Sequence, residues 1–372
     1  MQEDFHYYAT YCAAYLAGFS HEESLAICYS ANFTDLCSRT LLSRIKGPKD
    51  AATTQLSMEM ADMRTDLNGL ADITRIWASF HFLPQDLYAE VKRSTRRYKN
   101  KYRMICGPNG DLLVDTVCLA KGKSLQAIGL AMHVLADTWA HRYFAGTPSL
   151  VINNTNSYFY ELIPAGDGYE EVKISFRHSL NAKDDLENKV YNNSILQFQE
   201  NSILCLGHGR AGHLPDYSFI RYKYLPAWGK YEEVIKDNPA DYFSAFGQMV
   251  YALRFLHGEI ETFEKETYDT EVSAPYSEEI HAILEKRQEI ACDDWKALGE
   301  RLSGKEIPDF DVDRYQEEYF SSENKEETFL GRYFSAAIAQ KSMVAHKIRQ
   351  SGNPLAGRSI SRKKGQRKEE ER

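Results

Sequence analysis

The stretch AMHVLADTWAHRYF, residues 131–144, places His133, Asp137 and His141 four residues apart, twice in succession. In an α-helix, positions i, i+4 and i+8 lie on one face. The positions around these three residues are largely apolar, which predicts that this face is buried. A buried carboxylate between two imidazoles is costly unless it is paired or bound to a metal ion. The stretch therefore indicates either a divalent-metal site or a buried His–Asp–His hydrogen-bond network.

Further metal-capable side chains fall on predicted helices or at helix ends. His6 lies on the first predicted helix, Asp35 towards the end of the second, and His81 at a helix end within ASFHFLP. Each has a structural alternative, such as a helix cap or a helix-terminal hydrogen bond. As a series, they are hard to explain as solvated surface, and they favour the metal interpretation.

Two later stretches compete for the last ligands. LGHGRAGHLPDY, residues 206–217, offers His208, His213 and Asp216, among glycines that allow the backbone to approach another group closely. FLHGEIE offers His257 and Glu261 on a late helix. The alternatives are an ordinary glycine-rich turn for the first stretch and a helix-stabilising polar pair for the second.

The periodicity predicts an all-α fold in one domain, residues 1–350. Ser20 is predicted to cap the second helix in a capping box with Glu23. Residues 157–176 carry two β-prone runs around a glycine-rich turn and predict a small β-hairpin insertion. The late helices, 239–350, are expected to pack on the side of the domain or to form a subdomain. Further helices are predicted at about 53–79, 85–101, 123–144, 184–208, 239–265, 276–302 and 312–350.

Composition limits the classes of protein to consider. The chain has 372 residues, 43% of them hydrophobic, and a net charge of −8, so a general nucleic-acid-binding surface is not indicated. The basic tail, residues 351–372, is predicted to be disordered; it holds seven Lys/Arg and three Glu from residue 358 onward. Seven isolated cysteines, no signal-peptide pattern and no long apolar stretch favour reduced thiols and a cytoplasmic location.

The order of His6, Asp35, His81 in SFHF, His133-x3-Asp137, His141 and a final His/Asp cluster resembles the zinc-dependent phospholipase C and single-strand nuclease superfamily. The resemblance covers roughly residues 4–216 and is consistent with a cytosolic branch. Members are all-α enzymes that hold three zinc ions in a cleft. The resemblance implies that the zinc ligands are His6, Asp35, His81, His133, Asp137, His141 and a pair drawn from His208, His213 and Asp216. Asp137 would bridge two ions.

Three departures from the superfamily bear on the third ion. Secreted members use the amino group and carbonyl of an N-terminal Trp as ligands, whereas this chain starts Met1-Gln2, so that ligand is expected to be absent or replaced. The interval from Asp137 to His141 is shorter than is typical, and the interval from Asp35 to His81 is longer, which implies an inserted helix. The sequence therefore leaves open whether the site holds two zinc ions or three.

The chemistry implied is hydrolysis of a phosphodiester by a metal-bridged hydroxide, with Asp35 and Asp137 as catalytic residues. Arg142 and Arg210, beside proposed ligands, are candidate phosphate contacts. A nucleotide or nucleic-acid substrate is favoured over extracellular phospholipid. The alternative is a non-catalytic helical interaction protein with a structural metal site. Other hydrolase classes lack their motifs, since the chain has no His-Asp dipeptide, no H-E-x-x-H and no P-loop.

Overall fold

The computed structural model describes residues 1–62, 67–178, 182–193 and 206–357. About 53% of it is helical and 11% is strand, and it contains a four-stranded antiparallel sheet. The all-α prediction is therefore wrong, and the fold is mixed α/β. The helices are α1 (Thr10–Leu16), α2 (His21–Leu36), α3 (Arg39–Arg44), α4 (Ser57–Asp62), α5 (Leu67–Phe80), α6 (Arg96–Tyr102), α7 (Asp111–Ala120), α8 (Leu125–Ala140), α9 (Leu150–Asn153), α10 (Asn238–His257), α11 (Ser277–Glu285), α12 (Cys292–Ser303), α13 (Val312–Ser321) and α14 (Phe329–Gln350).

The sheet is the feature that the sequence pattern did not reveal. The predicted hairpin is confirmed as β1 (Thr155–Ala165) and β2 (Gly168–Lys173). Two later strands, β5 (Arg221–Pro226) and β6 (Val234–Asp237), extend it in the order β2-β1-β5-β6. They have six and four residues, too few for a clear alternation, and their pairing depends on a distant partner strand. The short strands β3 (Ser175–Arg177) and β4 (Val190–Asn192) form a separate parallel pair.

Helix α8 lies at the centre of the helical part and packs against α2, α7, α10 and α14. It packs most extensively against α2, which approaches closely at Gly129. A Cβ atom added at Gly129 would lie 2.1 Å from the carbonyl oxygen of Ile27, so only glycine fits this contact. The predicted capping box at the start of α2 is confirmed, since Ser20 and Glu23 each bond the other's backbone N–H. The main hydrophobic core runs from Met1 to Ala356 and includes residues of the late helices.

Several predicted helices are shorter than expected or are interrupted. Of the predicted helix 85–101, only α6 forms, and 276–302 and 312–350 each divide into two helices. Residues 184–193 form a turn and β4 rather than a helix, and residues 194–205 of the same prediction lie outside the described residues. In the predicted tail, Asn353 is buried and donates a hydrogen bond to the carbonyl of Asn100, while 358–372 lie outside the described residues.

A second, smaller core lies under the sheet and fixes the described part of the segment before β5, residues 206–220. It joins strand residues such as Phe159 and Tyr224 to Phe82 and Phe144, which follow α5 and α8. The sheet therefore attaches the loop that carries His208 and Asp216 to the ends of these two helices. No helix in the described part of the chain is long and apolar enough to cross a membrane.

Candidate metal centre

Three helices end at the same point, and each supplies candidate ligands there. Asp35 lies in the last turn of α2, His81 directly follows α5, and Asp137 lies in the last turn of α8, which His141 terminates. A helix C-terminus carries a partial negative charge, so a carboxylate in the last turn is unfavourable by about 0.3–1 kcal/mol, while a cation is favoured. Two aspartates in last turns are therefore a local cost that a bound cation would offset.

Two groups of potential ligands share His133 and lie around Asp137. The first contains His6, His133 and Asp137, and the second contains Asp35, His81 and His133; within each group the ligand atoms lie within 4.8 Å of one another. Oδ1 of Asp137 is 3.1 Å from Nε2 of His6. Oδ2 of Asp137 is 3.1 Å from Nδ1 of His81 and 3.2 Å from Nε2 of His133. Asp137 thus presents its two oxygens to different histidines, which is the geometry expected of a bridging ligand.

A third group contains His141, His208 and Asp216. Asp216 places Oδ1 3.2 Å from Nε2 of His141 and Oδ2 3.5 Å from Nε2 of His208. His141 also joins the third group to the others, because its Nδ1 lies 3.6 Å from Oδ2 of Asp137. The eight side chains of the three groups therefore form one connected cluster.

Three of these histidines are fixed in orientation by backbone carbonyls. Nε2 of His81 bonds the carbonyl of Thr53 at 3.0 Å, Nδ1 of His141 that of His81 at 2.7 Å, and Nδ1 of His208 that of Gly212 at 2.9 Å. Because a carbonyl oxygen can only accept, each of these ring nitrogens must donate. The other nitrogen of each ring then faces the carboxylates. Metal-binding histidines in proteins show this arrangement almost without exception.

The two remaining histidines carry buried nitrogens without hydrogen bonds. His6 and His133 stack at a ring-centroid distance of 3.8 Å and are fully buried. Neither nitrogen of His6, nor Nδ1 of His133, has a hydrogen-bond partner among the described residues. Nε2 of His6 lies 3.1 Å from Oδ1 of Asp137 but is not hydrogen-bonded to it. Unsatisfied buried polar atoms are rare, and here they suit ligands that point to a shared ion.

The electrostatics of the cluster keep most of the imidazoles neutral and the carboxylates charged. Burial lowers the pKa of His6, His133 and His208 to about 4. Burial would also lower the pKa of His81, but the hydrogen bond to Asp137 and the charge of Asp35 raise it. The pKa values of both Asp137 and Asp216 lie well below the usual range, because nearby imidazoles and the Met1 ammonium outweigh the effect of burial. Neutral imidazole and ionised carboxylate are the states that bind divalent ions.

The α-amino group of Met1 lies inside the cluster, which the sequence did not suggest. It is 2.8 Å from Oδ1 of Asp137, 3.3 Å from Oδ1 of Asp216 and 3.4 Å from Nε2 of His141. Burial disfavours its charge, but the two carboxylates raise its pKa to about 11. The N-terminal ligand is expected to be absent or replaced, and the Met1 amino group is the N-terminal group that lies within the cluster. The amino group lies between the third group and Asp137.

Access to the cluster is from the side of Asp35. Its side chain is 38% exposed, whereas that of Asp137 is 1% exposed. His6 lies on a π-helical segment, Asp4–Ala9, that continues into α1; π-helical turns are frequent at functional sites. Among the eight clustered side chains, that of Asp35 is the most exposed.

Some candidates from the sequence do not join the cluster. The ring of His213 is 62% exposed and pairs with Asp184, so the turn that presents His208 and Asp216 directs His213 elsewhere. His257 lies beside Glu259 and packs on Phe19. Glu261, at the surface beyond α10, is likewise in none of the three groups.

The two candidate phosphate contacts have other partners. Arg142 lies 3.4 Å from Oδ1 of Asp241 and against the ring of Tyr143. Arg210 donates to the carbonyl of Thr155 at 3.3 Å. Neither arginine belongs to the three groups, and their role as substrate contacts stays a prediction.

Several residues that support the cluster could not be recognised from the sequence. The ring of Phe82 stacks on His141 at 4.6 Å, and a Cβ atom at Gly207 would lie 2.3 Å from the Phe82 ring. The glycine-rich loop thus approaches an aromatic ring rather than a ligand. Lys236, which is buried, donates to the carbonyl of Trp139 at 2.9 Å and pairs with Asp241, placing a positive charge at the end of α8.

Comparison with known proteins identifies the family of the chain but no characterised relative. No curated protein and no solved structure matches the chain. A family model matches residues 1–348, a range that includes every candidate ligand. The chain belongs to that family, which is described as a family of unknown function, DUF6765.

Proposed function

We propose that the protein is a zinc-dependent phosphoesterase that hydrolyses a phosphodiester. The observation that carries this proposal is the orientation of His81, His141 and His208. Each ring donates one nitrogen to a backbone carbonyl and turns the other towards Asp137 or Asp216. If the cluster were only a structural hydrogen-bond network, the buried nitrogens of His6 should have hydrogen-bond partners. They have none among the described residues, which favours a bound ion.

The side chains present suit two or three zinc ions. Zinc in proteins is held by imidazole nitrogen and carboxylate oxygen, commonly three protein ligands to an ion when one position stays open for catalysis. The three groups each offer three such ligands. The two oxygens of Asp137 face different histidines, so Asp137 would join neighbouring ions, whereas His133, which belongs to two groups, has one free lone pair when neutral and would bind only one of them.

Zinc bound by such ligands lowers the pKa of a coordinated water to about 7 and neutralises charge on a phosphate group. The protein's own contribution is to hold the ligands in a fixed orientation. The carbonyls of Thr53, His81 and Gly212 fix the tautomers of the histidines. Asp35 is the exposed carboxylate at the entrance, with Oδ1 3.7 Å from His81 and Oδ2 3.9 Å from His6, where it can orient an incoming nucleophile and accept its proton. Its role is orientation as well as ligation.

The substrate class is a phosphodiester of a nucleotide, a nucleic acid or a phospholipid. We place the activity in the cytoplasm, which favours the first two. The aromatic residues of the site, such as Phe82, support the imidazoles and therefore do not identify a base.

The second candidate function is a structural metal site in a non-catalytic interaction protein. The observation in its favour is burial, because His6, His133 and Asp137 are at most 1% exposed. A structural site is closed, whereas a catalytic site keeps one position open. The partial exposure of Asp35 favours the catalytic alternative.

Elemental analysis combined with a phosphodiesterase assay separates these functions. We expect two or three zinc ions per chain and hydrolysis of bis(p-nitrophenyl) phosphate that a chelator abolishes and zinc restores. Stoichiometric zinc without hydrolysis of this compound, of a dinucleotide or of phospholipid vesicles would establish the structural role. Protein purified without chelator that holds no stoichiometric metal would refute both functions.

A further inference from the structure

A cleft of about 1350 Å³ lies apart from the candidate metal centre, between the N-terminal half of α5, helix α6, helix α14 and the turn at 354–357. None of the eight clustered ligands lines it. Pockets for small organic ligands are commonly about 300–1,000 Å³, so this cleft has room for a ligand larger than a single phosphate ion. Its chemistry is independent of the proposed hydrolysis.

The cleft concentrates positive charge in a protein whose net charge is −8. Seven lysine and arginine side chains line it, against two aspartates. Positive charge gathered in a concave surface focuses the electrostatic field and attracts anions. Because the rest of the chain is acidic, this is a local feature of the cleft.

One end of the cleft is ordered by ion pairs and backbone contacts. Asp72 lies 2.7 Å from Arg75 and 3.6 Å from Arg39, so it holds both guanidinium groups in place. Arg75 also donates to the carbonyl of Ala356 at 2.8 Å. A Cβ atom at Gly357 would lie 2.2 Å from the Arg75 guanidinium, so the chain crosses this arginine closely. This end is preorganised without a ligand.

Other cations in the cleft lack a counter-charge. Arg96, Arg97 and Arg349 form no ion pair with any residue in the part of the chain that the structure describes. Arg96 and Arg97 are exposed, and Arg349 is partly exposed. Guanidinium groups bind phosphate through paired, charge-assisted hydrogen bonds, so these three are available to an anion.

The floor of the cleft contains a partly buried ammonium group. Lys341 donates to the carbonyl of Ala52 at 3.1 Å, and its burial lowers its pKa to about 8. A buried charge is costly unless an opposite charge compensates it. Asp50 is the described carboxylate that acts on it most strongly, and a bound anion would supply more compensation.

The residue types distinguish between classes of anion. Among the described lining residues there is no phenylalanine, tyrosine or tryptophan. Proteins that bind single-stranded nucleic acid combine a basic groove with aromatic rings on which bases stack. Apart from His346, the lining offers charge without rings for stacking, so it suits a compact ligand that carries several phosphates and no base.

We propose that this cleft is a binding site for a small molecule bearing several phosphate groups, such as a cyclitol polyphosphate or a short inorganic polyphosphate. Arg96, Arg97 and Arg349 contact the phosphates directly. Arg39, Arg75 and Lys341 form the ordered end and the floor against which the ligand rests.

Isothermal titration calorimetry at physiological ionic strength tests the proposal, with myo-inositol hexakisphosphate and tripolyphosphate as probes. We expect both probes to bind the full chain. The probe that binds more tightly indicates whether the natural ligand is a cyclitol polyphosphate or an inorganic polyphosphate. The variant Arg96→Ala/Arg97→Ala/Arg349→Ala is expected to bind at least about tenfold more weakly, since each change removes a charge-assisted contact. Its zinc content and its hydrolysis of bis(p-nitrophenyl) phosphate are expected to equal those of the unmodified chain.

The matched control is Lys92→Ala/Lys123→Ala/Lys173→Ala, which removes the same charge from exposed positions outside the cleft. We expect it to bind within about twofold of the unmodified chain. Absence of binding by both probes, equal weakening in the two triple variants, or equal or tighter binding of an oligothymidylate would overturn the proposal. If the triple variant fails to melt cooperatively, the single variants Arg96→Ala and Arg97→Ala are measured instead, and unchanged affinity in both would overturn it as well.

Discussion

His141 and Asp216 approach to 3.2 Å, between Nε2 of the ring and Oδ1 of the carboxylate, although 75 residues separate them. The approach is possible because α8 ends at His141, whose other nitrogen is held by the carbonyl of His81. The ring of His141 is therefore not on the helix face that carries His133 and Asp137, and it faces the segment that carries His208 and Asp216. His141 therefore belongs to a third group of ligands while it remains close to Asp137.

The first prediction concerns this third group. His141→Ala is expected to reduce the zinc content by one ion per chain and to leave the ions at His6, His81 and His133 in place. The measurement is elemental analysis of the purified variant. His213→Ala is the control, because that ring lies in the same loop but is 62% exposed and turned away. Unchanged zinc in His141→Ala, or loss of all zinc, would contradict a separate ion held by the third group.

The second prediction concerns Asp137. Asp137→Asn keeps the shape of the side chain but removes the charge that faces His6 on one side and His81 and His133 on the other. We expect loss of more than one zinc ion per chain, with phosphodiesterase activity falling to background in parallel. Asp269→Asn, which changes another buried aspartate outside the cluster, controls for the loss of a buried carboxylate as such. Intact zinc content in Asp137→Asn would exclude the bridging role.

The sequence predicted the helical ligands because their spacing is local. His133 and Asp137 lie one turn apart on a single helix, so their meeting depends only on helical geometry. The choice between His208 and His213 could not be made this way. It depends on a turn in which Gly207 and Gly212 have positive φ, at 55° and 59°, and which the sheet and Phe82 hold in place.

The same distinction separates the predicted from the unpredicted parts of the fold. The capping box of α2 and the hairpin of β1 and β2 are set by neighbouring residues and were recognised. The pairing of β5 with β1 joins residues such as Tyr224 and Phe159, which are far apart in the chain. The position of the Met1 amine beside Asp137 also depends on tertiary packing, and no pattern in the sequence indicated it.

The third prediction concerns the contact between α2 and α8. In Gly129→Ala, the new Cβ atom would lie 2.1 Å from the carbonyl oxygen of Ile27, so the two helices must separate. We expect a loss of about 1–3 kcal/mol in the free energy of unfolding, measured by urea denaturation. Zinc affinity is also expected to fall, because Asp35 on α2 and His133 on α8 would move apart from 4.0 Å.

The control for this change is Gly168→Ala, at a position where a Cβ atom meets no other atom within 4 Å. It is expected to leave both the stability and the zinc affinity essentially unchanged. Equal stability of Gly129→Ala and Gly168→Ala would show that the contact between the helices can relax without cost.

The last prediction concerns the pH dependence of stability at Lys341. Burial lowers the pKa of Lys341 from 10.5 to about 8 in the folded chain. Below about pH 8 the lysine is charged in both states, and the folded state bears the full cost of the buried charge. Between about pH 8 and 10.5 the folded state has lost the proton while the unfolded state keeps it, so the stability that Lys341 contributes rises with pH.

Lys341→Met is therefore expected to stabilise the protein most at pH 7, relative to the unmodified chain, and to lose that advantage towards pH 10. The change between the two pH values is at most about 3 kcal/mol, because each unit of pKa shift corresponds to about 1.4 kcal/mol. Urea denaturation of both proteins at pH 7 and pH 10 measures it. Lys347→Met on the same helix is the control, since the hydrogen bond that Lys347 donates to Asp115 raises the pKa of Lys347 and keeps it charged across this range in the folded state. For Lys347→Met, the difference in stability from the unmodified chain is expected to stay constant from pH 7 to pH 10. If the difference for Lys341→Met is also constant, burial does not penalise the Lys341 ammonium.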